Sequence, residues 1–119
     1  MLDPCEARRF AEIWIADWNS RDLERILSHF SEEIEFTSPK IIRIMGDPSG
    51  RLKGKDCLRA YWSRGLELNP SLHFELIDVT SGVDSVCIHY RSSGRIATEW
   101  MKFDSDGKVV SGAAHYEQV

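Results

Sequence analysis

Glu99 is the side chain in this chain best placed to do chemistry. In the segment R-I-A-T-E-W-M-K-F, residues 95–103, a strand's alternation puts Ala97, Glu99, Met101 and Phe103 on one face. Ile96, Thr98, Trp100 and Lys102 take the other. A carboxylate withdrawn from water among apolar neighbours costs several kcal/mol unless it is paired, so Glu99 must be paired, protonated or wet. Desolvation raises a carboxyl pKa towards neutrality, the range in which general acid–base catalysis works. Two readings follow. Glu99 is a poised acid–base group in a dry pocket, or it is neutralised by an arginine such as Arg91 or Arg43, or turned to solvent by a different register.

The histidines offer a competing acid–base set. His89 and His115 alternate with the presumed interior residues, which places them with Trp100 on the outer sheet face, at a dimer interface. No histidine pair has the spacing of a zinc site such as H-E-x-x-H, so no metal and no other cofactor is expected. Gly50 to Lys55, G-R-L-K-G-K, is one residue short of a phosphate-binding loop, and Asp56 stands where that loop needs Ser or Thr. Asp104-Ser105-Asp106-Gly107 lacks the further carboxylates of a calcium loop and reads as a hairpin turn. No serine has a nucleophile-elbow context. Cys5, Cys57 and Cys87 are an odd number at wide spacing, which points to reduced thiols rather than a disulfide framework.

These residues need elements to hold them. Asp3 as N-cap, Pro4 in the first turn and Glu6 completing a capping box start a helix at residues 3 to 4. Phe10, Ile13, Trp14 and Trp18 recur at helical spacing along it. Asn19-Ser20-Arg21-Asp22 is a turn and cap, and Leu23, Ile26, Leu27 and Phe30 predict a short second helix. From Glu33 the period becomes two, with Ile34, Phe36 and Ser38 on one face and Pro39 ending the strand. Ile41, Ile42, Ile44 and Met45 could form a short strand before the loop at Gly46–Gly50, and a third helix spans about 55–66. Four strands follow at about 72–80, 85–92, 95–103 and 108–117, separated by turn residues at Gly82, Ser92-Ser93-Gly94 and Asp104–Gly107. In the last strand Val110, Gly112, Ala114 and Tyr116 are expected inside, beside Val86, Ile88 and Tyr90 of the second. Small residues at Gly112 and Ala114 would leave unfilled volume there.

At 119 residues and 42% hydrophobic content the chain fits one domain, 1–119, with one core. The first residues, M-L-D-P-C-E-A-R-R, are charged almost at once, so no secretion segment is read, and no run is long enough to span a membrane. A cytoplasmic protein is expected. A net charge of −4 gives no general attraction to phosphate backbones, which argues against nucleic acid as a partner.

The helix–turn–helix–strand opening, G-K-D-C-L-R-A-Y-W, N-P-S-L-H-F-E-L and F-D-S-D-G-K-V-V together resemble the nuclear transport factor 2-like superfamily, in particular its bacterial SnoaL-like members. The resemblance covers nearly the whole chain. It implies an α+β fold, a cone-shaped barrel of a curved, mostly antiparallel sheet covered by three helices from the N-terminal half, with a deep apolar cavity and a homodimer through the outer sheet face. The chain also resembles the steroid isomerases of that superfamily. Matching motifs puts their oxyanion-stabilising acid on Glu99, their tyrosine on Trp14 and their catalytic aspartate on Ser38. Two of those three roles are changed, and Ser38 is no base of comparable strength, so that mechanism is disfavoured.

The expected pocket comprises Trp14, Trp18, Phe36, Ser38, Tyr61, Met101, Ala114 and Tyr116, whose aromatic load suits a flat apolar ligand. His89, Trp100 and His115 are expected at the dimer interface. The expected function is binding of a small hydrophobic molecule, with isomerase, cyclase or dehydratase chemistry through Glu99. The alternatives are a dimeric ligand-binding module without catalysis and a protein-interaction adaptor.

Overall fold

Asp3 starts the first helix as its position before a proline predicts: its carboxylate accepts the Cys5 N–H at 2.7 Å, and Pro4 occupies the first turn. In this computed structural model, which describes residues 2–118, helix α1 runs Pro4–Ser20 and ends on Arg21 in the left-handed conformation, φ 62°. Its buried stripe is Ala7, Ala11, Trp14, Ile15 and Trp18. Ile13, expected on that stripe, is 44% exposed, because Ala7, Ala11, Trp14 and Trp18 define the buried stripe at spacings of three and four and Ile13 falls to one side of it. Asp22 caps the short α2, Leu23–Leu27, by accepting the Arg25 N–H.

Phe30 belongs to no helix. It opens strand β1, Phe30–Thr37, three residues earlier than the sequence period suggests. The isoleucine-rich segment after it forms helix α3, Pro39–Met45, not a strand. Ser38 caps this helix, Pro39 takes its first turn, and Gly46 ends it at φ 69°. The local cap chemistry prevails over the β preference of the isoleucines, giving four helices where three are expected. A three-residue strand, β2 at Arg51–Lys53, then leads into α4, Lys55–Leu68.

The remaining strands are β3 Phe74–Ser81, β4 Ser85–Ser92, β5 Arg95–Phe103 and β6 Val109–Tyr116. The sheet order is β2-β1-β6-β5-β4-β3, with only the β1–β6 pair parallel. Register shifts within β1–β6, β3–β4 and β5–β6 bend the sheet without closing it, so the cone is open between β2 and β3. The last shift also corrects the inner face of β6. Phe103 pairs with Val109 while Lys102 pairs with Ser111, so Val110 is the extra residue and Val109 is the one buried in the core. α1 packs across β3 and α4 across β1. The concave face of the sheet and these helices enclose one aromatic-rich core.

Candidate functional site

Between α3, α4 and the concave face lies a cavity of about 580 Å³. Trp18, Phe36, Trp62 and Phe74 form its apolar walls, Lys40, Arg43 and Ile44 of α3 one side, and Ser92, Ser93, Arg95, Ile96, Glu117 and Gln118 part of its rim. Tyr61, Tyr90, Tyr116 and Glu99 bring polar oxygens to it.

Glu99 is 6% exposed and stands between its cross-strand partners Ile88 and Ala114. Among the described residues no arginine pairs with it. Its partner is the buried Tyr90, whose hydroxyl donates to Oε1 at 3.0 Å. Burial pushes the Glu99 carboxyl up to about 8, against the opposing pulls of the Tyr90 hydrogen bond and the Lys40 charge. Desolvation therefore outweighs both, and Glu99 carries a proton at neutral pH. With Oε1 accepting from Tyr90, Oε2 is the oxygen free to hold that proton.

The neighbouring hydroxyls remain donors. Burial, followed by the nearby Glu99 charge, holds Tyr90 well above the ordinary tyrosine range, and the same two causes raise Tyr116. Tyr61 is pushed up to about 12 by burial, partly offset by its 3.3 Å hydrogen bond to Ser38 Oγ. Lys40 Nζ lies 4.3 Å from the centre of the Tyr116 ring. Burial and the adjacent Arg43 charge hold its amine below the usual lysine range, opposed by Glu99.

Of the expected site residues, Glu99, Trp18, Phe36, Tyr61 and Tyr116 do line the cavity. Four do not. Trp14 is 1% exposed and stacked on Phe74, making it a core residue behind the wall. Met101 is fully buried below Glu99, and Ala114 is filled in as the cross-strand neighbour of Glu99. Ser38 acts one step removed, capping α3 through the Lys40 N–H and receiving Tyr61. Gly112 leaves no empty volume either: a Cβ there would sit 2.9 Å from Phe36 Cδ1, so the missing side chain makes room for that ring. His89, Trp100 and His115 lie outside the cavity wall, with His89 hydrogen-bonded to Thr98 and Thr80.

Tyr90, Trp62, Lys40, Arg43 and Arg95 are cavity residues that the sequence does not single out as such. For Tyr90 a signal exists. The two-residue turn at Ser93-Gly94 fixes the β4–β5 register, pairing Ile88 with Glu99 and Tyr90 with Ala97, which makes Tyr90 a diagonal neighbour of Glu99 on one face. Asp17, the other buried carboxylate among the described residues, lies away from the cavity and meets His29 Nε2 at 2.6 Å. Among the described residues no group of three or more His, Cys, Asp and Glu is arranged to hold a metal ion, and no helix is long and apolar enough to cross a membrane.

An open α+β cone of six strands, with helices against its concave face, is the frame by which this chain can be classed. The SnoaL-like domain matches residues 11–118, and the chain belongs to the SnoaL-like family. A SnoaL-like protein of unknown function from Burkholderia thailandensis is 49% identical, with 94% of each chain covered and a TM-score of 0.89. A candidate isomerase of the SnoaL-like family from Agrobacterium tumefaciens shares the fold at 15% identity, with 94% of this chain and 97% of that one covered and a TM-score of 0.75. A nuclear transport factor 2-like protein of unknown function from Burkholderia pseudomallei does so at 14% identity, 93% and 90% coverage and a TM-score of 0.74. Among curated proteins none matches the chain.

Proposed function

We propose that this SnoaL-like domain binds a small, flat, mainly apolar molecule in its cavity and presents the protonated carboxyl of Glu99 to one of the ligand's oxygens. The observation that carries this reading is Glu99 itself, a buried acid on the cavity wall with one oxygen engaged by Tyr90. A neutral carboxyl can donate a hydrogen bond to a carbonyl and stabilise the enolate that forms when a neighbouring carbon loses its proton. That is the shared step of isomerase, cyclase and dehydratase chemistry. The carboxylate of Glu117 at the rim, of which only Oε2 is engaged by the Ile96 N–H, is the group of the wall that takes up the proton, directly or through water.

The second reading is a binding module without catalysis. It is favoured by the scarcity of bases, since the cavity wall contains no histidine and no aspartate among the described residues. In either case the outer sheet face is taken as the contact surface of a homodimer.

Titration of the Glu99 carboxyl by carbon-detected NMR, with Glu99→Gln as assignment control, tests the first reading. A midpoint of about 8 is expected, and the variant should keep ligand affinity while losing turnover of flat enolisable ketones. A midpoint at the model-peptide value of about 4.3 would remove the acid, and turnover that survives the substitution would leave the binding module.

A further inference from the structure

The charge of the cavity runs against the charge of the chain. The protein has a formal net charge of −4, yet the cavity wall presents three cations, Lys40, Arg43 and Arg95, against the carboxyls of Glu99 and Glu117. Glu99 is held neutral below about pH 8 by burial, and Glu117 accepts the Ile96 N–H at 2.8 Å. Among the described residues none of the three cations forms an ion pair, although six other arginines and lysines pair with carboxylates. Three cations gathered around one cavity in a chain of net negative charge concentrate positive potential there.

Their placement is as specific as their sign. Lys40 and Arg43 are three residues apart on α3, so they share the face that borders the cavity. Lys40 is half-buried, with its ammonium over the Tyr116 ring, a neighbour that attracts a cation without neutralising it. A second positive charge one helical turn away makes the pair repulsive until something negative lies between them.

We infer that the ligand is an organic acid, ionised at neutral pH, whose anionic oxygen lies between Lys40 and Arg43 while its flat apolar body lies against Trp18, Phe36 and Trp62. This deepens the proposed function and rests on it, since it requires the cavity to be the ligand site. An acid held this way points its body towards Glu99 and leaves a second oxygen of the same molecule to meet the carboxyl. Arg95, at the rim, serves to draw the anion in, an effect that salt weakens.

The test compares 2-naphthoate with its neutral isostere 2-naphthamide by quenching of the fluorescence of Trp18 and Trp62, at low and at high salt. Naphthoate should bind about tenfold tighter than the amide, the usual gap between charged and neutral hydrogen-bond partners, and added salt should narrow the gap. Lys40→Met and Arg43→Gln should each bring naphthoate towards the affinity of the amide and leave amide binding unchanged. Equal affinity of the two probes for the wild type overturns the acid and leaves the cavity as a ligand site. Variants that weaken both probes alike assign Lys40 and Arg43 to packing and overturn the inference too. Failure of both probes to bind counts against this inference and the proposed function together.

Discussion

A buried acid kept protonated by its surroundings leaves a mark on stability as well as on chemistry. In the unfolded chain Glu99 ionises near its ordinary value of 4.5, whereas in the folded chain it holds its proton up to about 8. Between those two values the folded state binds more protons than the unfolded one, so stability falls as pH rises through the window and levels off above about 8. Glu99→Gln is neutral in both states and keeps an oxygen for Tyr90. It should be more stable than the wild type at about pH 8, by on the order of a few kcal/mol, with the difference closing towards about pH 4. Thermal unfolding of both proteins across that range checks the sign; parallel curves would mean that Glu99 is ionised and paired. Glu99 is legible in the sequence because strand alternation brackets it between Ala97 and Met101. Its hydrogen-bond partner is not, because Tyr90 reads as one more interior aromatic until the register of the hairpin is drawn.

Gly112 carries the corresponding lesson for whole elements. The β6 backbone there lies against the Phe36 ring of β1, its parallel neighbour, and Phe36 is also a cavity wall. Gly112→Ala would set a methyl group 2.9 Å from Phe36 Cδ1 and 3.1 Å from Cε1, closer than packed carbon atoms approach. The ring must move towards the cavity, so the variant should lose about 1–3 kcal/mol in urea unfolding and bind ligand more weakly. An unchanged midpoint with unchanged affinity would show that Phe36 is free to yield. The strands of the second half are legible nearly to the residue, because turn residues bound each of them. Helix α3 is not: Ile41, Ile42 and Ile44 favour a strand locally, and the decisive signal is the pair Ser38-Pro39 before them, a cap and a first-turn proline. Missing that helix also hides Lys40 and Arg43, since only helical spacing brings both to one side. The bulge that buries Val109 in place of Val110 depends on pairing with β5 and has no local signature.

At the scale of the molecule, the two faces of one sheet are built from different residues. The concave face is occupied by the helices and the cavity, whereas two rows cross the three central strands on the opposite side, Cys87–Trp100–Ala113 and His89–Thr98–His115. Neither row contains Asp, Glu, Lys or Arg, although formal charges flank them at Arg91 and Lys102. Trp100 is half-buried in the single chain. A tryptophan at the centre of an uncharged strip is the kind of side chain around which a twofold contact forms, because the same strip meets itself across the axis and the ring loses its remaining water. A stable contact of this type needs about 800 Å² from each partner. Sedimentation equilibrium at micromolar concentration should therefore give a dimer, and Trp100→Glu should give a folded monomer by placing two carboxylates face to face at the axis. A wild-type monomer, or a Trp100→Glu variant that stays dimeric, would remove this face from the assembly. Because the cavity opens on the other side of the sheet, the monomeric variant should still bind ligand, so loss of the dimer and loss of the site can be measured separately.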